Sequence, residues 1–173
     1  TAHFRTATST GPTLYLSPAT AGTVGGIAAT PQDILKRDGA TGAWSLYFDG
    51  SDVGITKPIV AFTRLENGDL LLAFKVRQVI PGVGDFTPQD VARFSPVTFG
   101  EVTEGSFQWY FDGSDVGLRT GGEKIDALDS LPDGRLLLST IGTASIPYMG
   151  HALRVQDEDL LAFTPTAFGE TTG

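Results

Sequence analysis

The residues in this chain that could do chemistry are aspartates. Asp112, Asp115, Asp126 and Asp129 fall close together in sequence, and Asp49 with Asp52 repeats the first two in a weaker setting. Two chemistries fit them. Calcium takes about six to eight oxygens from carboxylates, carbonyls and water, and a glycine-bearing loop can turn several of them inward. The spacing does not follow an EF-hand loop. Alternatively, Asp49 and Asp112 close Asx-turns on the Ser and Asp amides that follow, with Gly50 and Gly113 supplying φ > 0. The sequence leaves both open. Asp33, Asp90 and Asp159 form a further set. Each opens the same segment of a repeat, where it could complete a metal site or pin a loop by accepting backbone N–H groups.

Other catalytic material is sparse. His3 and His151 stand in unlike contexts, and no H-E-x-x-H, G-x-S-x-G or phosphate-binding loop occurs. Paired carboxylates can hydrolyse glycosides. These carboxylates lie in repeated turns, however, and a structural element is expected to repeat whereas an active site usually occurs once. The expectation is therefore a protein that is not an enzyme. Trp44, Tyr47, Phe48, Trp109, Tyr110 and Phe111 could stack on sugars, but they alternate along one segment as sheet-packing residues do.

What positions the aspartates is a phrase that occurs twice, Tyr47-Phe48-Asp49-Gly50-Ser51-Asp52-Val53-Gly54 and again from Tyr110 to Gly117. Such self-similarity is the mark of a repeat architecture. Aligning on it brings out units at approximately 1–54, 55–117 and 118–173, each built from segments a to d. Segment a (Ile59 to Leu65, Ile125 to Leu131, and Ala2 to Thr8 in the first unit) leads to a turn. The turn is Glu66-Asn67-Gly68-Asp69 or Pro132-Asp133-Gly134-Arg135, and Asn-Gly or Asp-Gly between apolar runs signals a hairpin. Segment b follows as Leu14 to Ser17, Leu70 to Phe74 and Leu136 to Ser139. A long Gly/Pro loop separates it from segment c at Asp33, Asp90 and Asp159. Segment d, Trp44 to Phe48 or Phe107 to Phe111, runs into the phrase.

The b segments are apolar at consecutive positions, as in a strand covered on both faces. No helical stripe appears. The expected fold is all-β, with about eleven strands in three four-stranded antiparallel units, like the blades of a propeller. A β-sandwich is the alternative, though its strands should alternate apolar and polar more cleanly. The third unit has no segment d.

The chain has 173 residues and a net charge of −8, with only 12 Lys and Arg, which are scattered. That argues against a nucleic-acid phosphate backbone as partner, since binding one needs clustered cations. Cysteine is absent, so disulfides and thiolate chemistry are excluded. No apolar run reaches the length of about 20 residues needed to span a membrane. Thr1 is not an initiator methionine, which points to a processed or excised piece.

The W-x-LYFDGSDVG wording of Trp44 to Gly54 and Tyr110 to Leu118 resembles a tandem repeat of large secreted or cell-surface bacterial proteins. The acidic segment and PDG-LLLS hairpin of Asp126 to Ser139, and Asp157 to Phe163, carry the same likeness. The resemblance implies an extracellular, propeller-like repeat with no established chemistry. Val60 and Thr63 depart from it, standing where the next junction has Asp126 and Asp129.

The functional expectation is a structural, self-assembling or adhesive extracellular protein, forming a filament or ring, with calcium as its one candidate cofactor. A carbohydrate-binding module or glycan-active enzyme is the alternative, with a glycan as ligand. Copies of the chain are the expected partner, meeting through an open edge at Asp159–Gly173 and the N-terminal segment Thr1–Thr8. An exposed edge strand templates pairing with another chain.

Overall fold

The computed structural model describes residues 11–173. The segment expected as the first a strand, Ala2 to Thr8, and the histidine His3 lie outside the described residues. Sixteen strands follow: β1 (Leu14–Leu16), β2 (Gly22–Val24), β3 (Ile27–Ala29), β4 (Ile34–Arg37), β5 (Trp44–Phe48), β6 (Ile59–Arg64), β7 (Leu70–Phe74), β8 (Gln78–Ile80), β9 (Gly84–Phe86), β10 (Val91–Thr98), β11 (Glu104–Phe111), β12 (Ile125–Ser130), β13 (Leu136–Thr140), β14 (Ala144–Tyr148), β15 (His151–Val155) and β16 (Leu161–Phe163). The fold is all-β, with two single-turn 3-10 segments at Ser51–Val53 and Gly121–Glu123.

The strands assemble into three principal sheets, each antiparallel throughout. The second unit is complete, in the order β11-β10-β7-β6, so that segments a, b, c and d lie side by side. The first unit contributes β1-β4-β5 and the third β12-β13-β16. Among the described residues, the outer side of β16 has no strand.

The b-to-c connection differs from the expected open loop. In every unit it folds into a hairpin of its own: β2-β3, β8-β9 and β14-β15. These six strands, together with ten of the roughly eleven expected (the first a segment lies outside the described residues), make the sixteen. Their sequences carry little warning, because ladders of three to five residues hardly show a period. The hairpin turns between segments a and b also differ in detail. Only Gly68 (φ 93°) and Gly134 (φ 87°) adopt positive φ. Asn67 and Asp133 instead accept N–H bonds from Asp69 and Arg135, each at 3.2 Å.

The sheets stack face to face, and β7 shows how. Leu70, Leu72 and Phe74 pack against Ile34 and Phe48 of the first unit. Leu71 and Ala73 pack against Leu128, Leu136 and Leu138 of the third. Successive side chains of a strand point to opposite faces, so a strand between two sheets must be apolar at every position. All five residues of β7 are buried. Fully burying one such side chain contributes about 1.5–3 kcal/mol, and this double-sided burial is the main hydrophobic tie between units.

Candidate functional site

The twice-written phrase leaves strand d and enters a tight turn. Gly50 O accepts Ile55 N–H at 2.8 Å, and Gly113 O accepts Leu118 N–H at 2.8 Å. Asp49 Oδ1 accepts Ser51 N–H at 2.9 Å, and Asp112 Oδ1 accepts Ser114 N–H at 2.9 Å. These are Asx-turns. The glycines act differently from the expectation. Gly50 has φ −66°, and positive φ falls instead on Gly54 (80°) and Gly117 (100°). Gly50 and Gly113 are needed for space: a Cβ on either would sit 2.3 Å from the carbonyl oxygen of Gln32 or Gln89.

That close approach lets the c-opening aspartate reach the phrase. Asp33 Oδ2 accepts the Thr30 N–H and hydroxyl, both at 2.7 Å, while Oδ1 accepts Gly50 N–H at 3.1 Å. Asp90 repeats this on Thr87, at 2.7 Å for both, and on Gly113 N–H at 3.0 Å. Burial pushes the Asp90 carboxyl above its ordinary range, against the lowering effect of the Thr87 and Gly113 bonds. Asp159 accepts Gln156 N–H at 2.8 Å and has no phrase beside it.

The phrase also receives the following unit. Gly100 N–H donates to Tyr47 O at 2.9 Å, Asp49 N–H to Thr103 Oγ1 at 2.9 Å, and Thr103 N–H to Asp52 Oδ2 at 2.8 Å. The Thr103 hydroxyl closes its own loop on Gly100 O at 3.0 Å. Tyr47 and Phe99 stack with centroids 4.3 Å apart. The next junction repeats these contacts. Gly169 N–H donates to Tyr110 O at 2.8 Å, Asp112 N–H to Thr172 Oγ1 at 2.9 Å, and Thr172 N–H to Asp115 Oδ2 at 2.9 Å. Tyr110 stacks on Phe168 at 4.2 Å.

Each junction is therefore a latch. The socket is the phrase; the plug is Phe99-Gly100-Glu101-Val102-Thr103 or Phe168-Gly169-Glu170-Thr171-Thr172, between segments c and d. Reading the chain for its one long verbatim repeat passes over the plug, although its F-G-E-x-T wording also occurs twice. Its conserved spacing from Asp90 and Asp159 was the available signal. The first unit carries Asp38 to Ala43 at the corresponding place and has no plug.

The four aspartates weighed for calcium have other partners. Asp112 and Asp115 serve the turn and the latch. Asp126 Oδ1 accepts the Ser139 hydroxyl at 2.6 Å, and Asp129 Oδ1 accepts the Thr63 hydroxyl at 2.7 Å across β6 and β12. Among the described residues, no group of three or more acidic or histidine side chains converges on one point. The aromatics of strand d are taken up by packing: Phe48 and Phe111 are buried, and Trp109 stacks on Phe86 at 4.1 Å. His151 is exposed on β15.

Comparisons with family models, with curated proteins and with solved structures found no match for this chain. No helix among the described residues is long and apolar enough to cross a membrane.

Proposed function

We propose that the chain is a structural, non-enzymatic β-repeat protein of an extracellular assembly, joined to copies of itself through the outer edge of β16. The observation that carries this reading is the state of that edge. Leu160 is 66% exposed where its counterpart in the second unit, Val91, is fully buried. An apolar edge that carries no strand among the described residues is an invitation to strand addition. The latches support the same reading, because they show surfaces built to join one unit to the next. A head-to-tail contact that does not close gives a filament, and one that closes gives a ring.

Sedimentation velocity over a wide concentration range tests the proposal. Concentration-dependent oligomers are expected, and deleting Thr1–Thr8, the candidate donor segment, should leave smaller soluble particles. A well-folded monomer at every concentration would overturn it. In this reading the acidic turns serve as hydrogen-bond acceptors. A calcium role at Asp112, Asp115, Asp126 and Asp129 requires a higher Tm in millimolar calcium than in EDTA, by mass action. Equal melting curves remove it.

A further inference from the structure

Asn67 is the only asparagine in the chain, and Gly68 follows it. Such a pair can react with itself. The backbone N of the glycine attacks the side-chain carboxamide carbon. A C–N bond forms there, and the carboxamide C–N bond breaks. Ammonia leaves with the proton that the glycine N gives up. Water then opens the resulting succinimide at either carbonyl, which yields aspartate or isoaspartate. Glycine favours the attack because it has no Cβ to crowd the reacting N.

Asn67 is exposed in the turn between β6 and β7, yet both polar atoms of its side chain are engaged. Oδ1 accepts the Asp69 N–H at 3.2 Å, and Nδ2 donates to Asp69 Oδ2 at 3.0 Å. Asp69 is buried and is itself fixed. The same Oδ2 accepts Arg93 Nε–H at 2.6 Å and pairs with a second nitrogen of that guanidinium. The third unit builds the turn with the charges exchanged. Asp133 stands for Asn67 and Arg135 for Asp69. Ala162 stands for Arg93, since it lies opposite Leu137 as Arg93 lies opposite Leu71. Asp133 accepts the Arg135 N–H at 3.2 Å and its Nε–H at 2.9 Å. The attacking nitrogens are placed alike: Gly68 N–H donates to Leu65 O and Gly134 N–H to Leu131 O, both at 2.9 Å. The difference between the two turns therefore lies in what clasps the side chain.

We propose that Asn67 is a self-modification site, converted to aspartate and isoaspartate by attack of Gly68 N, and that the Asp69–Arg93 pair sets the pace by holding its carboxamide. The carboxamide must turn its carbon toward Gly68 N, and the clasp has to release Nδ2 first. The product does not suit this turn. A carboxylate at position 67 offers Asp69 no donor and sets a second negative charge beside a buried one, and like charges in one site repel. The third unit carries aspartate here because Arg135 meets it. Isoaspartate also lengthens the backbone of the turn, which disturbs the bond from Leu65 N–H to Asp69 O, 2.9 Å long. The conversion is one-way, so a long-lived copy of the chain loses this turn with age.

The test incubates the full chain at mildly alkaline pH and follows Asn67 by peptide mapping, which separates asparagine, aspartate and isoaspartate. D133N supplies an internal reference, because it writes Asn-Gly into the third turn with no acidic residue two places on. The third turn of that variant should convert faster than Asn67 in the same molecule by roughly fivefold or more, the population cost of freeing one hydrogen bond. R93A, added to D133N, should speed conversion at Asn67 and leave the third turn's rate unchanged. N67D, the product itself, should unfold at lower urea than the wild type. Adding D69R and R93A to N67D copies the third unit's set and should recover most of the loss. Equal rates at the two turns, or no conversion at Asn67 after the third turn has reacted completely, would overturn the proposal. So would a rate at Asn67 that R93A does not change, or an N67D chain as stable as the wild type. If R93A does not fold, the comparison with D133N and the stability of N67D still decide.

Discussion

The second and third units use the same residue pattern for strands a, b and c, and the same pairings: Leu72 lies opposite Ala92, and Leu138 opposite Leu161. They differ in what lies beyond strand c. In the second unit β11 covers β10, and Val91, Ala92 and Phe94 are fully buried. In the third unit the matching Leu161 and Phe163 are half-buried. Burial of strand c thus comes from strand d, not from the stack of sheets alone. The aspartate that opens c follows the same rule. Asp90 has both oxygens engaged, one by the phrase at the end of strand d, whereas Asp159 accepts only from Gln156.

The largest expected effect tests that difference in packing. Phe94 touches Phe48 and Phe107, with centroids 5.1 and 4.9 Å away. Phe94→Ala should cost about 3–5 kcal/mol, as a large cavity in a closed core does. Phe163→Ala should cost roughly half that or less, since part of the ring already meets water. Urea unfolding of both variants measures the gap. Equal losses would mean that the third unit is as closed in solution as the second.

The latches predict the opposite pattern, equality. Thr103 and Thr172 are both buried and hold the same bonds. Thr→Val at either keeps the shape but removes the oxygen that accepts the Asp49 or Asp112 N–H. The loss should be about 1–3 kcal/mol for an orphaned buried donor, similar at the two sites. A large loss at Thr103 with none at Thr172 would show that the second latch is open in solution.

How much of this was legible in the sequence follows from the kind of signal each part leaves. Strand b of the second unit stands out because β7 is buried on both faces and reads as an unbroken apolar run. The aspartates opening strand c are visible from their recurrence, and the Asx-turns at Asp49 and Asp112 are one of the two readings, beside calcium, that the loop residues permit. The β8-β9 hairpin and its counterparts are not visible, since short ladders flanked by Gly and Pro look like loops. The role of Gly50 was misread for a physical reason. A glycine needed for a close backbone approach and a glycine needed for positive φ look alike in a sequence, and only the neighbouring Gln32 carbonyl tells them apart. Thr103 and Thr172 were missed because their partners lie about 50 to 60 residues away, and no local pattern encodes such a contact.

The smallest expected effect concerns the corner after each phrase, where the two units solve one problem with different chemistry. In the second unit Gln78 Oε1 accepts the N–H groups of Thr56 and Lys57, both at 3.0 Å. In the third, the matching amides of Arg119 and Thr120 donate to Glu123 Oε2 at 2.7 and 2.6 Å, and Ser145 N–H donates to Oε1 at 3.2 Å. An amide does not titrate; a carboxylate does. Burial alone would raise the Glu123 carboxyl, but the bonds from Arg119, Thr120 and Ser145 outweigh it and hold the group below its usual value. A carboxyl lowered on folding contributes stability above its unfolded pKa, and that contribution is lost as pH falls through the folded one. Acid should therefore loosen Arg119, Thr120 and Ser145 while Thr56 and Lys57 stay protected, a contrast that amide exchange measured along a pH series reads directly. Glu123→Gln imitates Gln78: its amide oxygen can keep the Arg119 and Thr120 bonds at a cost of about 1 kcal/mol. The variant should abolish the acid response of the third corner, and an acid response that survives it would assign the titration to another group.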